Sequence, residues 1–171
     1  MTQTFAANET NGMTDEATPA FVYVDANPFI YFIDGDEAVA NRLRPFFELL
    51  RERPGLAMTS ELTLAEVLAK AQPDKRRNYF NLIIWSNLFK LQPVTRGILI
   101  DTADYRRVNQ RPHPDGTKAK IKLPDAIHVV TAIQSRCRAF LSADTGLKLP
   151  DEITVFEPNE AGIAELLQQI S

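Results

Sequence analysis

The sequence predicts an α/β fold, in which a mainly parallel β-sheet is covered by helices on both faces. Three observations carry that prediction. Short apolar runs rich in β-formers, beginning with Phe21-Val22-Tyr23-Val24, alternate with stretches of helical periodicity. One or two helical stretches separate successive strands, so the connections are right-handed βαβ crossovers. No tight hairpin signal joins any two strands, as a mainly antiparallel sheet would need.

Residues Met1 to Pro19 are rich in Thr, Asn, Ala and Glu without periodicity, and read as a disordered leader over 1–20, with Met13 as an alternative start. The domain is expected over 21–171. Its first strand ends abruptly at Asp25, and Pro28 suits the first turn of a short helix through Phe29–Ile33 closed by Gly35. Asp36 opens a second helix carrying Val39, Leu43, Phe46, Phe47 and Leu50, with Pro45 as a kink or restart and Pro54-Gly55 as its end. Leu56-Ala57-Met58 is the second strand. Thr59 or Ser60 caps the next helix, on which Leu62, Ala65, Glu66 and Ala69 form a stripe that looks inward.

Pro73 to Leu88 is helical, and Phe89 to Val94 is a third strand weakened by its proline. Thr95 caps a helix to about Val108. Asn109 to Ile121 is polar and basic, with Pro112, Pro114 and Gly116, and reads as a loop that contains His113. Pro124 sits in the first turn of a helix running to about Cys137. Residues 138–142 and 153–156 are the fourth and fifth strands, and Ala161 to Ile170 closes the chain as a helix.

The length of 171 residues suits one domain, and 44% hydrophobic with 24% charged residues is an ordinary globular composition. Cys137 is the single cysteine and cannot form an internal disulfide, so a reducing compartment, the cytoplasm, is expected. No apolar run approaches the ~20 residues that cross a bilayer, and no signal peptide is evident, so no membrane is expected. A net charge of −3 argues against non-specific coating of nucleic acid. It does not exclude a metal-dependent nuclease, whose site is itself acidic. Basic residues cluster at Lys75, Arg76 and Arg77, and again at Arg106, Arg107, Arg111, Lys118, Lys120 and Lys122, the second group leading into Asp125. Both read equally as solvated faces. No Gly-rich nucleotide-binding run is present.

In open α/β sheets ligands bind where strands end and helices begin. Asp25 ends the first strand, Asp144 follows the fourth, and Asp125 lies in a first helical turn. Glu66 faces inward within its helix, where an ionised carboxylate needs a partner such as a shared divalent cation. Each acid also has a structural alternative. Asp25 can cap a helix, Asp125 can favour a helix dipole, Glu66 can complete a capping box with Thr63, and Asp144 can belong to a turn. His128, three residues after Asp125, could join a metal site but reads better as a packed helix histidine.

Val24-Asp25-Ala26-Asn27-Pro28, Ser60 to Leu68, Lys122-Leu123-Pro124-Asp125-Ala126-Ile127-His128 and Phe140-Leu141-Ser142-Ala143-Asp144 resemble, in order, the four motifs of PIN domains. The resemblance covers about Phe21 to Phe156, and many small PIN domains are the toxins of VapBC toxin–antitoxin pairs. It implies a five-stranded parallel sheet of order 3-2-1-4-5, Mg²⁺ or Mn²⁺, and endonucleolytic RNA cleavage leaving a 5′-phosphate and a 3′-hydroxyl. It makes Asp25, Glu66, Asp125 and Asp144 the catalytic, metal-holding acids, with Asn27 and Ser142 supporting them. Asp25 and Asp125 are then expected as direct ligands, with Glu66 and Asp144 acting through water or on a second ion. Arg111, Lys118, Lys120 and Lys122 become candidates for RNA binding, and a small antitoxin and a homodimer are the expected partners. Gly146-Leu147 stands where many members have a bulky aromatic residue, and the leader is extra to the family.

Two readings compete. One is a PIN nuclease that processes RNA without an antitoxin. The other is a silent PIN-like module or a receiver-like Mg²⁺-binding domain, although a receiver needs an acceptor Asp after a middle strand and the third strand here ends at Val94-Thr95.

Overall fold

The computed structural model describes residues 22–112 and 118–171. The predicted leader, Phe21 and His113 lie outside them. Five parallel strands form the central sheet: β1 (Val22–Val24), β2 (Ala57–Ser60), β3 (Phe89–Gln92), β6 (Ala139–Leu141) and β7 (Thr154–Phe156), in the order β3-β2-β1-β6-β7. Counted within the sheet this is 3-2-1-4-5, as the resemblance implies. It also removes the receiver-like alternative, whose sheet runs 2-1-3-4-5.

The register explains how three-residue strands suffice. Val22 lies beside Ala57 and Ala139, Tyr23 beside Met58 and Phe140, and Val24 beside Leu141. Neighbours in register share a face because successive side chains alternate. Val22, Val24, Ala57, Ala139 and Leu141 therefore join one core, against α1 (Ala26–Asp34), α2 (Glu37–Glu52) and α7 (Glu160–Ile170). Tyr23, Met58 and Phe140 join the core on the other face, with Ala132 of α6 (Leu123–Gln134). Strands buried on both faces have no polar side to alternate, hence their continuous apolar runs.

The helices start where their caps dictate. Asp36 accepts from the Val39 amide at 2.8 Å to begin α2, and Ser60 accepts from Leu62 at 3.2 Å to begin α3 (Glu61–Lys70). Thr95 accepts from Ile98 at 3.3 Å to begin α5 (Arg96–Val108), which packs on α6. Gly35 is needed for space rather than for its backbone angle, since a Cβ there would strike the Tyr31 carbonyl.

Several expectations are corrected. Pro45 neither ends nor restarts α2, which runs unbroken through it. The stretch after Pro73 is not one helix: α4 (Arg76–Phe80) passes into a π-helical turn, Asn81–Trp85. The helix expected to reach Cys137 ends at Gln134, followed by Arg136 in the left-handed region at φ 56°. The basic loop contains an antiparallel pair, β4 (Gln110–Pro112) with β5 (Lys118–Lys120), of which only the connection 113–117 lies outside the described residues. Its strands read Gln-Arg-Pro and Lys-Ala-Lys, so the apolar alternation that announces most strands is missing from it. On α3 the inward positions are Thr63 and Val67, whereas Ala65 and Ala69 are exposed. Alanine carries too little apolar surface to decide which face turns in.

Candidate active site

Asp25 is placed by β1 and used by α1. Its Oδ1 accepts from the Ala26 amide at 2.7 Å and its Oδ2 from the Ser142 hydroxyl at 2.7 Å, while Asn27 Nδ2 stands 3.5 Å from Oδ2. Ser142, wholly buried just beyond β6, also accepts from the Asp144 amide at 3.0 Å. Two neighbouring strand ends are thereby tied together through one hydroxyl. The helix-cap reading of Asp25 is correct as geometry, yet it employs one carboxylate oxygen and leaves the side chain lining a cavity.

That cavity, of about 300 Å³, is lined by all four acids, Asp25, Glu66, Asp125 and Asp144, together with Asn27, His128, Lys70 and Lys122. It lies at the C-terminal ends of β1 and β6, where the reversal of strand order opens a crevice. Glu66 is half-buried at the side of α3 rather than on its inward stripe. The capping-box alternative fails, because Ser60 caps α3 and Thr63, not Glu66, occupies the third helical position. Asp144 Oδ1 accepts from the Gly146 amide at 3.0 Å, so its turn role is real as well. Asp125 occupies the first turn of α6.

Sequence reasoning undervalued one member of this site and missed another. His128 is packed, at 2% exposure, but it is not inert. Its Nε2 lies 2.6 Å from Glu66 Oε2 and 3.6 Å from Asp25 Oδ1, and its Nδ1 lies 2.6 Å from the Tyr23 hydroxyl. Burial lowers the pKa of this imidazole, but the Glu66 hydrogen bond and the charges of Asp25, Glu66 and Asp125 outweigh burial and raise it. Its spacing three residues after Asp125 was the available signal, since positions i and i+3 share a helix face. Lys70, the last residue of α3, lies one turn after Glu66 and was not singled out.

Of the basic candidates, Lys122 lines the cavity and Lys120 is exposed on β5. The side chains of Arg111 and Lys118 lie outside the described residues. A larger, open cleft of about 590 Å³ beside Phe32, Arg51, Asn78 and Leu82 has no carboxylate among the described residues of its lining, so its chemistry is of another kind.

Carboxylate oxygens of Asp25 and Glu66 and an imidazole nitrogen of His128 lie within 4.8 Å of one another, close enough for one ion. The remaining acids add oxygen donors, a set that suits a hard divalent cation. Both nitrogens of His128 are already engaged, so the carboxylates fit such an ion better than the imidazole does.

A family model described as the PIN domain matches residues 22–153. A solved toxin–antitoxin complex from Klebsiella pneumoniae shares the fold at a TM-score of 0.55 and 18% identity, covering 81% of this chain and 98% of that one. VapBC2 from Rickettsia felis, bound to a DNA fragment from its promoter, shares it at 0.54 and 16%, covering 80% and 98%. No curated protein matches the sequence.

Proposed function

The chain belongs to the PIN-domain family, and from that membership and its acidic cleft we propose that it is a metal-dependent endoribonuclease, the toxin of a VapBC-type toxin–antitoxin pair. The observation that carries this reading is the meeting of Asp25, Glu66, Asp125 and Asp144 around one small cavity at the strand ends. Four helix caps and turns arising independently would have no reason to share it. The antitoxin partner is supported by the fold shared with two toxin–antitoxin assemblies, and a homodimer is proposed with it. Residues 21–171 act as one domain, and the buried Cys137 suits a cytoplasmic setting.

The four acids would hold Mg²⁺ or Mn²⁺, with Asp25 and Asp125 the direct ligands. Such an ion supplies Lewis-acid chemistry, acidifying water and offsetting charge on the scissile phosphate. The protein's own groups prepare the ground for it. Ser142 and the Ala26 amide fix the Asp25 carboxylate, so little reorganisation accompanies reaction. Asn27 stands beside the same oxygen that Ser142 holds. Lys70 and Lys122, on the cavity wall, are cations placed to draw in an RNA phosphate, and Lys120 extends that field along β5, with Arg111 and Lys118 as further candidates.

The test is cleavage of single-stranded or loop RNA by protein freed of any bound partner. Cleavage is expected in Mg²⁺ or Mn²⁺, to stop on adding EDTA and to be suppressed by a small protein encoded beside it. Undiminished cleavage in chelator overturns the metal mechanism, and the lack of a suppressing neighbour returns the protein to RNA processing.

A further inference from the structure

Tyr23 lies at the middle of the central strand and is wholly buried, its ring stacked on Phe140 at 4.9 Å. Its hydroxyl meets His128 Nδ1 at 2.6 Å, and His128 Nε2 meets Glu66 Oε2 at 2.6 Å. Three polar groups thus run in line from the core to the wall of the cleft. Packing alone does not call for them, since Phe and Leu would fill the same space without burying groups that must find partners. The line also joins three elements: β1 supplies Tyr23, α6 supplies His128, and α3 supplies Glu66.

The direction of the hydrogen bonds follows from the chemistry of the ends. A carboxylate only accepts, so Nε2 donates to Glu66. A phenol ionises only near pH ~10, so Tyr23 keeps its proton at neutral pH. With a neutral imidazole, the phenol donates to Nδ1 and so holds the ring proton on Nε2. With a charged imidazole, both nitrogens carry protons and the phenol oxygen accepts. Nε2 donates to Glu66 in both states, and its lone pair is unavailable to a cation in both.

We infer that His128 is a positioning residue, locked by Tyr23, which holds one oxygen of Glu66 so that the carboxylate keeps a fixed orientation toward the cation site. The inference rests on the reading of Glu66 as one of the metal-holding acids. Hydrogen-bond partners of ligating carboxylates set ligand orientation, and their loss weakens metal binding by roughly 10–100-fold. Asp125, one turn before His128, takes its place in the cleft from the same helix face, so α6 presents one acid directly and orients another.

The test measures Mn²⁺ binding directly, from the electron paramagnetic resonance of the free ion, with no RNA present. The proteins are the wild type, His128→Leu, His128→Gln and Tyr23→Phe, each shown by thermal melting to be folded. His128→Leu is expected to bind Mn²⁺ at least about tenfold more weakly. His128→Gln should recover most of that loss, because its amide can donate where Nε2 did, and Tyr23→Phe should fall between. A leucine variant that binds like the wild type, or a glutamine variant as weak as leucine, overturns the inference. Nitrogen NMR of the wild type in mildly alkaline solution checks it without any variant: the neutral ring should carry its proton on Nε2, and a proton on Nδ1 overturns it. A wild type that shows this pattern yet cuts no RNA defeats the nuclease reading alone. A wild type that binds no Mn²⁺ defeats both.

Discussion

Val24 and Asp25 are adjacent in the chain but belong to two regions held together in different ways. Val24 faces the aromatic layer, where Phe47 packs within 4.2–6.3 Å of the rings of Phe29, Phe32, Phe46 and Phe89. Asp25 faces the cleft, where four carboxylates share a cavity of about 300 Å³ with two lysines and a buried histidine. The aromatic layer is complete in itself, each ring satisfied by edge and face contacts with the others. The cleft is polar chemistry drawn from separate elements, and its like charges oppose one another at close range. Stability resides in the first region, and the proposed metal binding and reaction in the second. Substitutions should separate the two.

The largest expected effect is on activity. Asp25→Asn and Asp125→Asn should abolish cleavage, while the melting temperature in EDTA stays equal or rises because one of several like charges is gone. Asn can still cap α1 in place of Asp25. Mg²⁺ should stabilise the wild type more than either variant, by mass action at the site. Variants that melt lower in EDTA and respond to Mg²⁺ as the wild type does would return these acids to a purely structural role.

Phe47→Ala tests the opposite region. It should cost about 3–5 kcal/mol of stability, equally in EDTA and in Mg²⁺. Denaturant titration in both conditions reads this directly, and a cost that depends on Mg²⁺ would mean that the two regions are coupled.

Ser142→Ala lies on the border between them. Removing the hydroxyl that donates to Asp25 should cost about 1.5–3 kcal/mol, the range for hydrogen bonds to charged groups. Unlike Phe47→Ala, it should also reduce the response of the melting temperature to Mg²⁺, because Asp25 loses an orienting partner. Equal Mg²⁺ responses in wild type and variant would make Ser142 a strand-end tie only.

The smallest effect belongs to the cations. Replacing Lys120 and Lys122 together with Ala should leave stability within about 0.5 kcal/mol of the wild type. It should flatten the salt dependence of RNA binding by about 0.7 in log–log slope for each phosphate that is no longer neutralised. An unchanged slope assigns both lysines to the solvated surface.

The class of fold and the order of its elements follow from the chain alone. Apolar periodicity and caps such as Asp36, Ser60 and Thr95 act over a few residues, so they can be read without knowing what lies opposite. The positions of Asp25, Asp125 and Asp144 at strand ends and a helix start were legible for the same reason. Packing settled what local pattern cannot express. Glu66 sits beside the inward stripe of α3 because α1, α4 and β2, against which that helix packs, fix where it docks, and alanines on its surface do not. His128 looked like a core residue and is one, yet its two ring nitrogens join β1 to α3 across 105 and 62 residues of chain. The β4–β5 ribbon left no hydrophobic signal because its strands, Gln-Arg-Pro and Lys-Ala-Lys, hold almost no apolar side chain. Local interactions choose an element, whereas which side chains meet depends on how distant elements pack.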